Sequence, residues 1–195
     1  GAAGFIGSHL CEQLAVIEDA AEAHGAEYLT DRTGERPEWA RCGGLGDLGV
    51  FSFYANKLVA TGEGGMVVTN DSDLAARARS LRNLCFQPDR RFLHAELGHN
   101  FRLTNLQAAV GVAQVQRMAE ILEHKRWMGH AYTSQLSDLD ALELQVKKDW
   151  ARPCFWMYGI VVREKTGLDA AGLAERLAQH GVQTRPFFLG MHEQP

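Results

Sequence analysis

The stretch Gly46-Asp-Leu-Gly-Val-Phe-Ser-Phe-Tyr-Ala-Asn-Lys57, with the glycine-rich run Thr61-Gly-Glu-Gly-Gly-Met-Val-Val-Thr69 behind it, decides how the rest of the chain is read. Val50 to Tyr54 is a short apolar and aromatic run expected to form a buried strand. It delivers Lys57 into a loop beside Gly62, Gly64 and Gly65, where a backbone without Cβ atoms can approach something bulky. Met66 to Thr69 reads as the next strand, closed by an Asn-Asp turn. A lysine at the mouth of a buried strand suits covalent amine chemistry on a carbonyl cofactor. A solvated loop lysine is the plainer reading of the same position.

On the N-terminal side, Val16-Ile-Glu-Asp-Ala-Ala-Glu-Ala-His-Gly25 reads as a short buried strand ending in an acid, then a turn of small residues. An acid at the C-terminal end of a strand in an α/β sheet lies where ligands bind. Equally, Asp19 before a run of alanines is a helix N-cap. Residues 26–48 read as connecting loop around weak strands. Further upstream, Gly1-Ala-Ala-Gly-Phe-Ile-Gly-Ser-His-Leu-Cys-Glu-Gln-Leu14 carries three glycines spaced three apart, running into an amphipathic helix. That is the phosphate-cradling turn of a dinucleotide fold. Its wording resembles the opening of the NAD-dependent sugar-nucleotide epimerases and dehydratases. No strand precedes it and no Tyr-x-x-x-Lys pair follows. Residues 1–15 are therefore expected to be a Rossmann-like remnant or joining artefact, with NAD chemistry as an alternative resting on residues 1–14 alone.

On the C-terminal side, Asp71 to Leu84 is expected to be a helix capped by Asp71 or Ser72. Cys85 to His99 reads as irregular. A single long helix is expected from Thr104 to about Leu136, with Leu106, Ala109, Val110, Ala113, Met118, Ile121 and Leu122 as a core-facing stripe. A helix of that length is expected to bridge two domains. The boundary falls in Asp138 to Pro153. An aromatic strand over Cys154 to Val162, a helix over Asp169 to His180 stopped by Gly181, and a second strand over Val182 to Phe188 would open a smaller domain.

The 195 residues carry a net charge of −4, with mixed signs and no basic face for nucleic acid. No apolar run is long enough to cross a membrane and no signal-peptide pattern is present. Cys11, Cys42, Cys85 and Cys154 form no C-x-x-C pair and no metal-ligand spacing, so no metal site is expected. They read as buried thiols of a reduced, cytoplasmic protein.

Five ordered blocks then resemble one family. They are Ile-Glu-Asp-Ala-Ala-Glu-Ala (17–23), Phe-Ser-Phe-Tyr-Ala-Asn-Lys (51–57), Thr-Gly-Glu-Gly-Gly-Met (61–66), His-Asn-Phe-Arg-Leu-Thr-Asn-Leu-Gln-Ala-Ala (99–109) and Arg-Pro-Phe-Phe-x-x-Met-His-Glu-Gln-Pro (185–195). From Val16 to Pro195 the chain is similar to the DegT/DnrJ/EryC1/StrS sugar-nucleotide aminotransferases, and Phe155-Trp-Met-Tyr158 resembles the perosamine synthases within that group. The resemblance implies an α/β chain: part of a type I pyridoxal-phosphate transferase fold of the aspartate-aminotransferase kind, plus the start of a small α+β domain. Residues 16–137 would be a partial cofactor-binding large domain and residues 138–195 an incomplete small domain.

The resemblance also implies roles. Lys57 aligns with the lysine that bonds to the aldehyde carbon of pyridoxal 5'-phosphate and, once freed, moves the substrate proton. Asp19 aligns with the acid that pairs with the pyridinium nitrogen and keeps the ring an electron sink. Glu22 stands where glutamine is frequent, near the cofactor's phenolic oxygen, and a carboxylate there needs a proton or another partner. Ser52 aligns with a hydroxyl donor to the cofactor phosphate, and Asn100 with an asparagine reaching that phosphate from a partner subunit of a homodimer. His192 is either a substrate contact or an ordinary loop histidine, and His24 and His99 read as structural. Lysine at 57, where dehydratase members carry histidine, points to transamination, with glutamate as donor and a nucleotide-linked keto-deoxysugar as acceptor. Products of this type feed O-antigen, other surface polysaccharide or glycosides. Because the family's N-terminal phosphate-binding and ring-stacking segment has no counterpart here, the chain alone is expected to bind the cofactor weakly or not at all. A non-catalytic fragment is the remaining alternative.

Overall fold

The computed structural model describes residues 15–30 and 38–195. In chain order the first elements are β1 (Ile17–Asp19), β2 (Glu27–Leu29), β3 (Trp39–Arg41), β4 (Leu48–Ser52), β5 (Gly65–Val68), α1 (Ser72–Arg82), β6 (Phe86–Gln87) and β7 (Arg90–His94). There follow α2 (Asn105–Gln116), α3 (Met118–Leu136), β8 (Leu142–Leu144), β9 (Ala151–Arg152), β10 (Ile160–Val162) and α4 (Ala170–Gln179). They form two compact units. The first holds the described residues up to Trp127 together with Lys147–Trp156, and the second holds Met128–Val146 and Met157–Pro195. The division falls within α3, and the short 147–156 stretch returns to the first unit.

The first unit is built on a sheet ordered β1-β4-β5. β1 runs parallel to β4, with Asp19 opposite Val50, and β4 pairs antiparallel with β5. Ala20, Phe53, Leu58 and Val59 are buried, so the apolar core stands directly behind the lysine loop. Two backbone bonds close that loop: Phe53 N donates to Gly64 O at 2.8 Å and Thr61 N to Phe53 O at 2.8 Å. Gly64 has φ +145, and a Cβ there would stand 2.8 Å from Leu103, so the turn closes only on glycine. A second sheet, ordered β3-β2-β9, brings residues 151–152 beside β2.

Capping sets the helix starts. Asp71 Oδ1 accepts from the Asp73 and Leu74 amides at 2.8 and 2.9 Å, fixing the entry to α1. Thr104 and Gln107 form a reciprocal capping box at α2, and Gln107 Nε2 also donates to Glu63 O at 3.1 Å, fastening the glycine-rich turn to this helix. In the second unit, β8 and β10 pair antiparallel, the Tyr132 and Tyr158 rings stack at 5.1 Å, and Asp169 caps α4.

Several sequence expectations need correcting. The single helix from Thr104 to Leu136 is two helices, because Arg117 adopts φ −96, ψ 3 and its amide bonds back to Gln114 O at 3.1 Å, tightening the last turn of α2. The front of the expected core stripe is exposed, with Leu106 at 83% and Val110 also open, because no described residue covers that face of α2. β1 forms as read, yet Ile17 is 65% exposed, so this strand is not a buried one. No helix follows Asp19, whose Oδ1 accepts from Ala21 N at 3.1 Å and so caps a turn instead. Cys85 to His99 contains the β6–β7 hairpin, entered through positive φ at Leu84 and Cys85 that no glycine signals. The aromatic strand over Cys154 to Val162 shortens to β10, since Phe155 at φ 50 cannot continue an extended chain. Val182 to Phe188 is not a strand: Val182 N bonds to Leu177 O at the end of α4, and Pro186 lacks the donor a ladder needs.

Candidate active site

The parallel pairing of β1 and β4 places Asp19 and Ser52 at the C-terminal ends of neighbouring strands. Ligands of open α/β sheets bind at such strand ends. From Ser52 the chain runs through Phe53 to Lys57, whose amide donates to Tyr54 O at 2.9 Å in a tight turn. That turn folds the lysine side chain inward, leaving it only 10% exposed. Its Nζ donates to Glu22 Oε1 at 2.6 Å, while Glu22 itself is 44% exposed. The partner that a carboxylate at position 22 requires is thus the lysine.

Two further side chains complete this centre. The ring of Trp156 lies under the ammonium, 4.2 Å from Nζ to its centroid, and its Nε1 donates to Asn56 O at 2.8 Å. Sequence reasoning missed this residue in the site, because it lies 100 positions from the backbone it bonds. His24 is 4% exposed, packed at 5.2 Å from the Phe51 ring and 6.0 Å from Phe53. Neither of its ring nitrogens has a hydrogen-bond partner among the described residues. Burial first, and then the positive charge of Lys57, hold its pKa below the usual histidine value. An approach of the Ser52 backbone, short of hydrogen-bond geometry, pulls weakly the other way. His24 is therefore a neutral ring behind a cationic lysine.

The remaining candidates are placed as follows. Ser52 Oγ accepts from Tyr54 N at 3.3 Å, so its own proton remains to donate. Asn100 bridges to Asn83, and its Oδ1 accepts from Arg102 Nε at 3.0 Å, which aims the amide nitrogen elsewhere. His99 is exposed and stacks on Phe101 at 4.8 Å. His192 belongs to the second unit, stands exposed, and lies 3.5 Å from Glu193. Among the described cysteines Cys85 and Cys154 are buried and Cys42 is half-buried, all as free thiols, and burial raises Cys154 above the usual thiol value. Cys11 and the glycine-rich opening, residues 1–14, lie outside the described residues. Among the described residues no helix is long and apolar enough to cross a membrane.

An amine held against a carboxylate, with an acid and a hydroxyl at adjacent strand ends, is a donor set that fits an aldehyde-bearing, phosphorylated pyridine. The amine would meet the carbonyl, the acid the ring nitrogen, and the hydroxyl the phosphate.

Comparison with known proteins shows the family and the fold. The chain matches the DegT/DnrJ/EryC1/StrS aminotransferase family over residues 10–195. It is 39% identical over 186 residues to a GDP-perosamine synthase of Caulobacter vibrioides, covering 93% of this chain and 47% of that protein. A GDP-perosamine synthase of Escherichia coli O157:H7 is 34% identical, at 93% and 46% coverage. Among solved structures, the aminotransferase TlmJ from Streptoalloteichus hindustanus superimposes with a TM-score of 0.81 at 28% identity, covering 95% of this chain and 48% of that one. The chain spans about half the length of the curated relatives it matches. The expected α/β transferase fold stands, and the chain belongs to the DegT/DnrJ/EryC1/StrS aminotransferase family.

Proposed function

We infer that these residues form the lysine-bearing part of a pyridoxal-phosphate-dependent aminotransferase acting on a nucleotide-linked keto-deoxysugar. The amino donor is glutamate, the working unit a cytoplasmic homodimer, and the products serve O-antigen, other surface polysaccharide or glycosides. The first unit belongs to the cofactor-binding large domain and the second to the small domain. The observation that carries the reading is the Lys57–Glu22 pair at 2.6 Å on a chain of this family. The relatives' names, GDP-perosamine synthase among them, support the sugar substrate.

Pyridoxal phosphate, when bound, supplies an aldehyde carbon and an electron-accepting ring. The chain's own residues do the rest. Lys57 Nζ, once its proton has passed to Glu22 Oε1, would have a lone pair to hold the aldehyde carbon, whose oxygen leaves as water, and, when an incoming amine has displaced it, would be free to take a proton from the substrate carbon. The Asp19 carboxylate holds a proton at the ring nitrogen, and the Ser52 hydroxyl donates to the phosphate. Asn100 would contribute its amide nitrogen to that phosphate across the dimer.

The test is an absorbance spectrum of the chain with pyridoxal phosphate, followed by borohydride reduction and peptide mapping. The reading expects the reduced label on Lys57 and its loss in Lys57→Ala. Label scattered over exposed lysines such as Lys147 and Lys148, unchanged in the variant, would overturn it.

A further inference from the structure

We propose that Trp156 is a positioning residue for Lys57, its indole face and the Glu22 carboxylate together forming a two-sided seat for the ammonium. This rests on Lys57 as the reactive amine. One side of the seat is the ion pair at 2.6 Å, and the other is the ring face, 4.2 Å from Nζ to the centroid. An aromatic face attracts an ammonium through its quadrupole and a neutral amine far less. The ring therefore holds Nζ in place while it carries its proton and lets go when the proton leaves.

The indole is itself fixed to the lysine loop. Its Nε1 donates to the carbonyl of Asn56, the residue immediately before Lys57, at 2.8 Å. The residues leading to it are anchored in turn. Arg126 Nε donates to Pro153 O at 3.3 Å, and Cys154 Sγ donates to Glu22 O at 3.2 Å. Between the Cys154 and Trp156 anchors, Phe155 is buried with φ 50, a left-handed conformation that costs a bulky residue energy and persists only where its surroundings impose it. The 153–156 stretch thus touches both halves of the ion pair, the backbone of Glu22 and the loop of Lys57. A segment serving only as a connection has no need of a strained residue between two such anchors. His24, neutral and buried behind the seat, adds no competing charge.

The test measures acetylation of Lys57 by acetic anhydride without added cofactor, using peptide mapping with exposed Lys148 as internal standard. Failure of cofactor labelling and failure of this proposal are then separate results. Trp156→Leu removes the ring face and should raise relative acetylation of Lys57 about two- to thirty-fold, the range from an exposed to a desolvated cation–π contact. Trp156→Phe keeps a face but loses the Nε1 bond, and should stay closer to the wild type than to the leucine variant. Because the leucine variant also opens space and can disturb folding, the chain is also prepared with 5-fluorotryptophan. Fluorination weakens the ring's negative face while keeping its shape and its N–H, and should raise the relative rate as well. Equal rates in the phenylalanine and leucine variants, or no change on fluorination, would overturn the proposal.

Discussion

Gly49 is the residue through which the fold can be probed most sharply. It lies in β4, paired with Glu18 on one side and Val68 on the other, and the Gly43 turn rests directly on it. A Cβ at position 49 would overlap the Gly43 carbonyl oxygen and stand 2.7 Å from its carbon and 2.8 Å from its Cα. All three obstacles are backbone, so no rotamer change relieves them. Clearing the carbonyl oxygen, the nearest of the three, requires the turn to rise by at least about 1 Å, against the close-packing limit that interiors keep. The turn resists that movement because Gly43, at φ +93, is itself pressed onto the Phe51 ring, and the neighbouring Cys42 N bonds to Ala26 O at 2.9 Å.

Overpacking of this kind costs about 1–3 kcal/mol, and a loosened hydrogen bond about 1 kcal/mol more. We therefore expect Gly49→Ala to lose about 3 kcal/mol and to lower Tm by about 6–12 °C in a chain of this size. The control is Gly62→Ala. That glycine has φ +82 but nothing within 4 Å of its missing Cβ, so only the backbone penalty of about 1 kcal/mol remains. Its Tm should fall by about 2–4 °C. Thermal melts followed by far-ultraviolet circular dichroism decide the matter. A Gly49→Ala chain melting with the wild type, or a larger loss in Gly62→Ala, would refute the steric reasoning.

Two other outcomes are expected. Asp71→Ala removes both side-chain bonds at the start of α1 and should cost about 1 kcal/mol, whereas Asp71→Asn should melt close to the wild type. His24 is held below its unfolded value of 6.5, so the unfolded chain binds the extra proton more readily. Its contribution to stability is then complete above about pH 6.5 and is lost as pH falls toward the lowered folded value. Tm measured from about pH 7.5 to pH 5 should fall less steeply in His24→Leu; parallel slopes in the two proteins would count against this account of His24.

What the sequence made legible was local. The β4 strand, the glycine turn, the Asp71 cap and the Gly181 stop each depend on residues a few positions apart. The break at Arg117 was not legible, since neither proline nor glycine marks it and the apolar period runs through. Nor were the reversals at Leu84, Cys85 and Phe155, where ordinary side chains take positive φ. Tertiary contacts impose those conformations, and a linear pattern has no term for them. The site divides the same way. Lys57, Glu22, Asp19 and Ser52 were legible as positions in short motifs. That Lys57 is the partner of Glu22 was not, because the two are 35 residues apart.

The charge arrangement around Nζ explains why these neighbours belong together. An ammonium shielded from water is stabilised by an anion close by. Glu22 supplies that anion at 2.6 Å while remaining half in solvent, where its own desolvation penalty is small. A second cation near Nζ would oppose the arrangement, and burial first, then the lysine charge, lower the pKa of His24. The Trp156 face then adds attraction without adding charge, so the pair stays balanced at one positive and one negative group. Glutamine at position 22 would still accept a hydrogen bond from Nζ, but it would leave no base beside the amine to take the proton. The carboxylate therefore holds the lysine in place and, on the proposed reading, would also accept its proton when a carbonyl arrives, two tasks that an amide would separate.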